Sequence, residues 1–500
     1  MKPLVPGARR TDRKRPAGLP CYGSGMSNGT RSETGTETGS LPPVAGRVLR
    51  PARVYPGEAY FCRPGCDSRD ASPVTAPAAW MAGTLPCPRC RPDRFAWDDA
   101  VRPEPSRDEA SLLASLQTRL PELRTCAGLA EALDWSPDRL RRVCGRVFGA
   151  PPSRVLDWLR ACAARRLLDD AVPMPAPARL AGLTGFVSVA ALQRTLARAG
   201  LDRPRAASAE PGDRPSPLVL GLDAVRPFPG SQLLEFLARR TLSGLDAVDD
   251  DPAGAGYRRC WRTPDGPATV VMRPDEAGIQ LWLQAPGRLL LDDLVARVES
   301  LFDPAAPVAE ILARLGPDPL LGPAVRAEPG RRVPGAWDPF ELAVRAVLGQ
   351  QVSVAAARTH AQRLLALCAA DEPGTFPSPE RIAATDLTPL AMPGARRATL
   401  TVLATAVAEG RVDFTRPPEQ VRADLLALRG IGPWTADYIA LRGLGDRDAF
   451  PAGDLVVRQA LAGGGPLPAE RAVRERSRPW RPLRAYAVMH LWQLAAFARG

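Results

Sequence analysis

Apolar and polar positions divide this chain of 500 residues into stretches of different period. Residues 1–52 show no period; they are polar and basic, and are read as a disordered arm. From Ala110 to Leu201 apolar residues recur at three- and four-residue intervals, as helices with one buried face require. Within that stretch Thr125–Leu140 reads as helix, turn, helix, with Ser136 as cap and Pro137 as the first helical residue. A similar unit spans Ala178–Leu183 and Gly185–Arg194, and a long helix, Pro152–Leu168, joins the two. After a Pro/Ser/charged linker at 202–217 the period falls to two. Tyr257–Trp261, Thr269–Met272 and Gly278–Gln284 alternate as strands, flanked by helical Pro227–Arg240 and Leu290–Phe302. Beyond Pro339 nearly everything is helix and short turn.

The expected fold is therefore multidomain, mainly α with one α+β part: an arm (1–52), a cysteine module (53–95), a helical region (110–201), a linker (202–217), a small α+β domain (218–303) and an all-helical remainder (304–500).

Composition narrows the chemistry. The net charge of +12 and pI of about 9.7 favour a polyanionic partner, because each neutralised phosphate releases counterions. No run approaches the roughly 18 apolar residues of a membrane span, and no apolar segment follows the basic N-terminus, so a cytoplasmic, nucleoid-associated protein with reduced thiols is expected. The only lysines are Lys2 and Lys14, which leaves the folded body without an amine for a Schiff base. The only histidines are His360 and His490, too few for most histidine triads or metal sites.

The densest chemistry lies between Leu428 and Leu461, LRGIGPWTADYIALRGLGDRDAFPAGDLVVRQAL. Gly430-Ile431-Gly432 joins two apolar helical faces, and the N-terminus after such a turn is a seat for phosphate. Asp454 follows Pro451-Ala452-Gly453 at the start of another helix, where an aspartate serves either as an N-cap or as reactive chemistry. This stretch resembles the helix-hairpin-helix and Gly/Pro-Asp signature of base-excision DNA glycosylases, and among them the DNA-3-methyladenine glycosylase II (AlkA-type) family. Trp337-Asp338-Pro339-Phe340-Glu341 with Val344–Val354, and Arg478-Pro479-Trp480-Arg481 through His490-Leu491-Trp492, are similar to two further motifs of that family. The resemblance covers Ser216 to the C-terminus. It implies that Asp454 is catalytic, that Trp434, Tyr438 and Trp492 line a base pocket, and that Gly430, Ile431 and Gly432 hold a DNA phosphate, with a monovalent cation often bound at the turn. Gln350, Gln351 and Val352 become candidates to fill the gap left by a flipped nucleotide. Lyase-competent relatives carry a lysine just after the hairpin, where this chain has Trp434, and no cysteine follows Cys368 to build an iron–sulfur cluster. A monofunctional enzyme is expected.

Cys62, Cys66, Cys87 and Cys90 form C-x3-C and C-x2-C pairs separated by twenty residues, a spacing that suits four thiolates on one Zn²⁺. Such a site is either a closed structural ribbon or reactive. Phe61–Cys66 and Pro86–Pro92 resemble the N-terminal zinc module of the Ada family, which implies that Cys62 accepts a methyl group from a DNA phosphotriester. The paired helix–turn–helix units resemble the AraC-type DNA-binding domain, with Arg139 and Arg142 on or beside an exposed recognition face. Two readings stay open: a glycosylase fused to a methylation-responsive regulator, or a regulator whose C-terminal domain only binds damaged DNA.

Overall fold

The computed structural model describes residues 125–171, 175–198, 218–251, 254–263, 265–286, 291–369 and 374–497, with shorter pieces between 51 and 123. Most of the expected arm and the whole 202–217 linker lie outside these residues. Four short strands come first: β1 (Pro51–Val54), β2 (Tyr60–Cys62), β3 (Ser72–Thr75) and β4 (Leu85–Pro86), in the order β3-β1-β2-β4. Strand β2 runs antiparallel to β1 and parallel to β4, with Phe61 opposite Pro86.

Five helices follow: α1 (Cys126–Ala132), α2 (Pro137–Phe148), α3 (Pro152–Asp170), α4 (Pro177–Leu183) and α5 (Val189–Arg198). The Ser136 hydroxyl accepts from the Arg139 amide at 3.2 Å and Pro137 opens α2, so α2 starts where those residue types dictate, while α1 ends earlier at its Leu133 cap, followed by Asp134 at φ +53°. Helix α3 buries Val155, Leu156, Trp158, Leu159, Ala161, Cys162 and Ala164, and serves as the spine between the two helix–turn–helix units.

A five-stranded antiparallel sheet comes next, ordered β5-β9-β8-β7-β6, from β5 (Leu218–Asp223), β6 (Asp246–Asp251), β7 (Gly254–Thr263), β8 (Gly266–Pro274) and β9 (Gly278–Gln284). Three of these strands follow from the alternation. Strands β5 and β6 do not: LVLGLD carries only a short apolar run, and DAVDDD is acidic and forms the sheet edge, where charge is tolerated. Ala268, Val270 and Met272 of β8 and Ile279, Leu281 and Leu283 of β9 point to one core face, covered by α6 (Gly230–Ala238) and α7 (Leu291–Phe302).

The remainder is helical: α8 (Val308–Leu315), α9 (Leu321–Ala327), α10 (Pro339–Leu348), α11 (Val354–Cys368), α12 (Pro379–Ala384), α13 (Gly394–Ala408), α14 (Pro418–Leu426), α15 (Pro433–Gly443), α16 (Leu455–Ala462), α17 (Glu470–Arg476) and α18 (Arg484–Phe497). Helix α10 is buried almost all round and packs against α11, α13 and α15. It also carries the junction with the sheet. Arg259 of β7 grips Glu341 through Nη2–Oε2 at 2.6 Å and Nη1–Oε1 at 3.2 Å, while Arg345 Nη2 reaches Glu341 Oε1 at 2.6 Å. Asp246 of β6 joins through Arg259 (3.4 Å) and accepts the Tyr257 hydroxyl at 2.6 Å. Burial alone raises the Glu341 carboxyl, but Arg259 and Arg345 outweigh it and hold the group at about 2. Among the described residues no helix is long and apolar enough to cross a membrane.

Candidate active site

Helices α14 and α15 are the two arms of the hairpin expected around Gly430 and Gly432. Gly430 adopts φ +92°, and a Cβ built there would sit 1.9 Å from the Thr399 hydroxyl, so only glycine fits. Gly432 differs. It caps α15 at φ −94° with open space around it, which leaves room for a ligand at the helix N-terminus rather than meeting a backbone need. Pro433 occupies the first helical position, where its missing N–H costs nothing. Arg422 on α14 pairs with buried Asp437 on α15 and ties the two arms together.

Asp454 is both things that its sequence position allowed. Its Oδ1 caps α16 by accepting the Val457 amide at 2.9 Å. The same oxygen accepts the Trp492 indole N–H at 3.1 Å, and Oδ2 accepts the Trp434 indole N–H at 2.8 Å. The carboxylate is 7% exposed, and among the described residues no cation pairs with it. Three neutral donors therefore fix its position without cancelling its charge. Buried Asp437 on α15, by contrast, is already spent on Arg422.

The structure brings Trp434, Tyr438 and Trp492 together beside that carboxylate. Trp434 and Tyr438 stack with centroids 5.4 Å apart at 17°, and Tyr438 meets Trp492 at 6.3 Å. All three rings are half-buried. Behind Tyr438, Arg442 donates to its hydroxyl at 3.0 Å and to the Gly335 carbonyl at 3.0 Å, and lies 4.7 Å from the Phe236 ring of α6. The small α+β domain thus buttresses the aromatic wall. Exposed Leu455 follows Asp454 at the rim.

The loop before α11 carries Gln350 and Gln351, which have different surroundings. Gln351 is exposed and holds φ +58°, a conformation costing a non-glycine residue roughly 1–2 kcal/mol. Gln350 turns inward and donates to the Gly430 carbonyl and the Thr435 hydroxyl, both at 3.1 Å. Val352 is half-buried between them and exposed Val354. In the N-terminal half, Arg142 is exposed, whereas Arg139 pairs with Asp108 at 2.8 Å and covers the Trp135 ring at 4.7 Å. Cys62 ends β2, but its side chain and the whole of Cys66, Cys87 and Cys90 lie outside the described residues.

Reading the sequence alone missed the Gln350 bridge, the Arg442 brace and the Glu341 junction. Only the last left a signal: PFELAVRAVL places Glu341 and Arg345 one turn apart in an otherwise apolar helix.

Comparison with known proteins bears on this geometry. The model of the AlkA N-terminal domain matches residues 219–338. A Mycobacterium tuberculosis protein described as a probable bifunctional transcriptional activator/DNA repair enzyme AlkA is 35% identical over 464 residues, covering 86% of this chain and 90% of its own. DNA-3-methyladenine glycosylase 2 of Escherichia coli is 35% identical over 281 residues, covering 53% of this chain and 94% of its own. Among solved structures, the 3-methyladenine DNA-glycosylase of Archaeoglobus fulgidus aligns with a TM-score of 0.47 at 19% identity, over 56% of this chain and 98% of that one. The 35% identity with the Mycobacterium tuberculosis protein over most of both chains places the protein in a family: it belongs to the AlkA-type DNA-3-methyladenine glycosylases.

Proposed function

We propose that the protein is a monofunctional DNA glycosylase that excises alkylated purines of the 3-methyladenine type, joined in one chain to a methylation-responsive transcription regulator. The observation carrying the first part is Asp454, a buried carboxylate held by two indoles and an amide, with no cation paired to it among the described residues. A purine inside a duplex must be flipped out before its glycosidic bond can be reached. Alkylation at N3 or N7 leaves the base cationic, so the faces of Trp434, Tyr438 and Trp492 attract it while its bond to the sugar weakens. As the base departs, positive charge develops on the sugar, and the fixed negative charge of Asp454 stabilises it or orients the attacking water. Water supplies the hydroxyl at the sugar carbon and gives up its other proton to solvent, and the cationic base leaves neutral with the bonding electrons. The hairpin at Gly430-Ile431-Gly432 holds a phosphate on backbone donors. A monovalent cation taken up at this turn would be held by backbone carbonyl oxygens and would add positive charge near the DNA backbone.

Incubation with methylated duplex DNA should release 3-methyladenine and leave an abasic site in an uncut strand. Borohydride should trap no covalent adduct to the part of the chain from about Ser216 onward, since no lysine follows Lys14. A regulator that only binds damaged DNA would release no base.

The regulatory part rests on the cysteine spacing and the paired helix–turn–helix units. The pairing of Phe61 with Pro86 fits a shared site, since Cys62 and Cys87 are the next residues along each segment. Cys62, Cys66, Cys87 and Cys90 would hold Zn²⁺, which when bound keeps its thiolates deprotonated at neutral pH. The Cys62 sulfur would then take the methyl carbon of a phosphotriester: an S–C bond forms, the O–C bond breaks, and the phosphodiester anion leaves. That removes one negative charge from the module and eases its approach to phosphate, strengthening promoter binding through exposed residues such as Arg142. One zinc per chain, with S-methylation at Cys62 detected by mass spectrometry after exposure to methylated DNA, is the expected result. Zinc without the methyl group would reduce the module to a structural ribbon.

A further inference from the structure

We infer that Gln350 is a positioning residue that locks the loop bearing Gln351 to the phosphate-holding hairpin, so that seating a DNA phosphate and wedging the duplex open occur as one event. The proposal rests on the glycosylase reading and names a part of the machinery that contributes no atom to the chemistry.

Both hydrogens of the Gln350 side-chain amide are committed to the hairpin. One goes to the Gly430 carbonyl and the other to the Thr435 hydroxyl, each at 3.1 Å. The orientation is fixed by chemistry, because a carbonyl can only accept and the nitrogen must therefore face Gly430. Helix α13 grips both partners from beneath. Arg396 Nη2 donates to the backbone carbonyl of Gln350 at 2.6 Å, and one turn further on, Thr399 fills the space under Gly430 so tightly that no Cβ could enter. The loop, the turn and α13 thus form a closed triangle of contacts. The next residue, Gln351, is held outward at φ +58°. A left-handed glutamine persists only where its neighbours over-determine the backbone, and the Gln350 anchor supplies that constraint. The exposed tip projects from the same rigid unit as the phosphate seat, while the side chain beside it is turned onto the hairpin.

The test uses the full chain with Gln350→Ala and with Gln350→Met, which keeps the length of the side chain but has no amide hydrogens. One readout is the single-turnover rate of base release from the same lesion paired in a duplex and unpaired in a single strand. The other is the fluorescence of 2-aminopurine placed opposite an abasic site, which rises when a wedge unstacks it and needs no catalysis. Both variants should lose on the order of ten-fold more rate on the paired than on the unpaired lesion, as expected for two lost hydrogen bonds that act only on opening the duplex. The fluorescence rise seen with wild type should shrink, with melting temperatures close to wild type. Equal losses on paired and unpaired lesions, or a full fluorescence rise in both variants, would overturn the proposal. A wild-type protein that releases no base but still raises the fluorescence would sink the glycosylase reading and leave the wedge to be judged by the fluorescence of the variants.

Discussion

Two buried carboxylates in this protein are held in opposite ways. Glu341, at the junction between the sheet and the helical lobe, is gripped by the guanidinium groups of Arg259 and Arg345. Asp454, at the mouth of the hairpin lobe, is held by two indole N–H groups and one backbone amide. The first arrangement cancels the charge and turns it into a joint. The second immobilises the charge and leaves its field available to a cation that arrives only during reaction. Burial and a carboxylate are common to both, so neither feature sets the proposed reactive group apart. The sign and number of its partners do.

That contrast predicts opposite outcomes for the same kind of substitution. Asp454→Asn keeps the shape and the N-cap, since asparagine caps helices as well as aspartate. Its NH2 group then faces the Trp434 N–H, which should cost about 1–3 kcal/mol of stability; DNA binding should be nearly unchanged, and base release should slow by on the order of 10²–10³-fold or more. Near-normal turnover in single-turnover assays would remove Asp454 from the mechanism. Glu341→Gln should do the reverse. It leaves buried Arg259 with only the longer contact to Asp246 and should cost up to about 3–5 kcal/mol in denaturant unfolding, with any loss of activity following the loss of folded protein. If Glu341→Gln instead unfolds like wild type, the junction contributes little and the contrast collapses.

The ability to read these sites from sequence differs for a physical reason. Hairpin, aspartate and pocket tryptophan lie within one short segment, and their residue types are constrained locally: Gly430 by its positive φ, Pro433 by the helix start, Asp454 by its cap. The helix–turn–helix units were visible for the same reason, through Ser136 and Pro137. The junction was not, because Asp246, Arg259 and Glu341 are far apart in sequence and an acidic edge strand gives no alternation. Gln350 was grouped with Gln351 as a possible wedge, and only the fold separates the side chain that turns in from the one that turns out. The donors on Asp454 were equally hidden, since the aromatics at 434 and 492 were expected to act through their faces and their N–H groups meet the carboxylate only in three dimensions.

Acid titration separates the joint from the helix that carries Trp492. His490 on α18 is fully buried, and neither ring nitrogen finds a hydrogen-bond partner among the described residues. Burial, aided by Arg331, pushes it from 6.5 down to about 4. The folded state therefore keeps it neutral while the unfolded chain takes up a proton, so its contribution is present above 6.5 and is lost as pH falls through about 4. Glu341, depressed from 4.5 to about 2, acts in the same direction but in a lower window. Asp303 opposes both over part of the range. Burial raises it from 3.8 to about 6, so its contribution is full below 3.8 and fades as pH rises through about 6. Comparing wild type with His490→Leu cancels the other groups. The wild type should lose about 3 kcal/mol more than the variant between neutral pH and pH 4, by denaturant unfolding. Parallel curves would mean that His490 finds partners on protonation.

The smallest effect tests the neutral donors themselves. Trp434→Phe keeps an aromatic face over Tyr438 but removes the N–H that meets Asp454 Oδ2 at 2.8 Å. A hydrogen bond to a charged group is worth about 1.5–3 kcal/mol. Part of that loss is made good by water in a half-open cleft, so base release should slow by on the order of ten-fold. The fall should appear in the single-turnover rate at saturating enzyme rather than in binding of uncleaved DNA, because the donor orients the group that meets the transition state. The same exchange at Trp492, whose N–H lies at 3.1 Å from the other oxygen, should give a loss of similar size. Combined, the two substitutions should lose more than the product of the separate effects, since the carboxylate would then be steered by the Val457 amide alone. A double variant that is merely additive would mean that each indole acts through its face, and that Asp454 needs no more than its cap to stay in place.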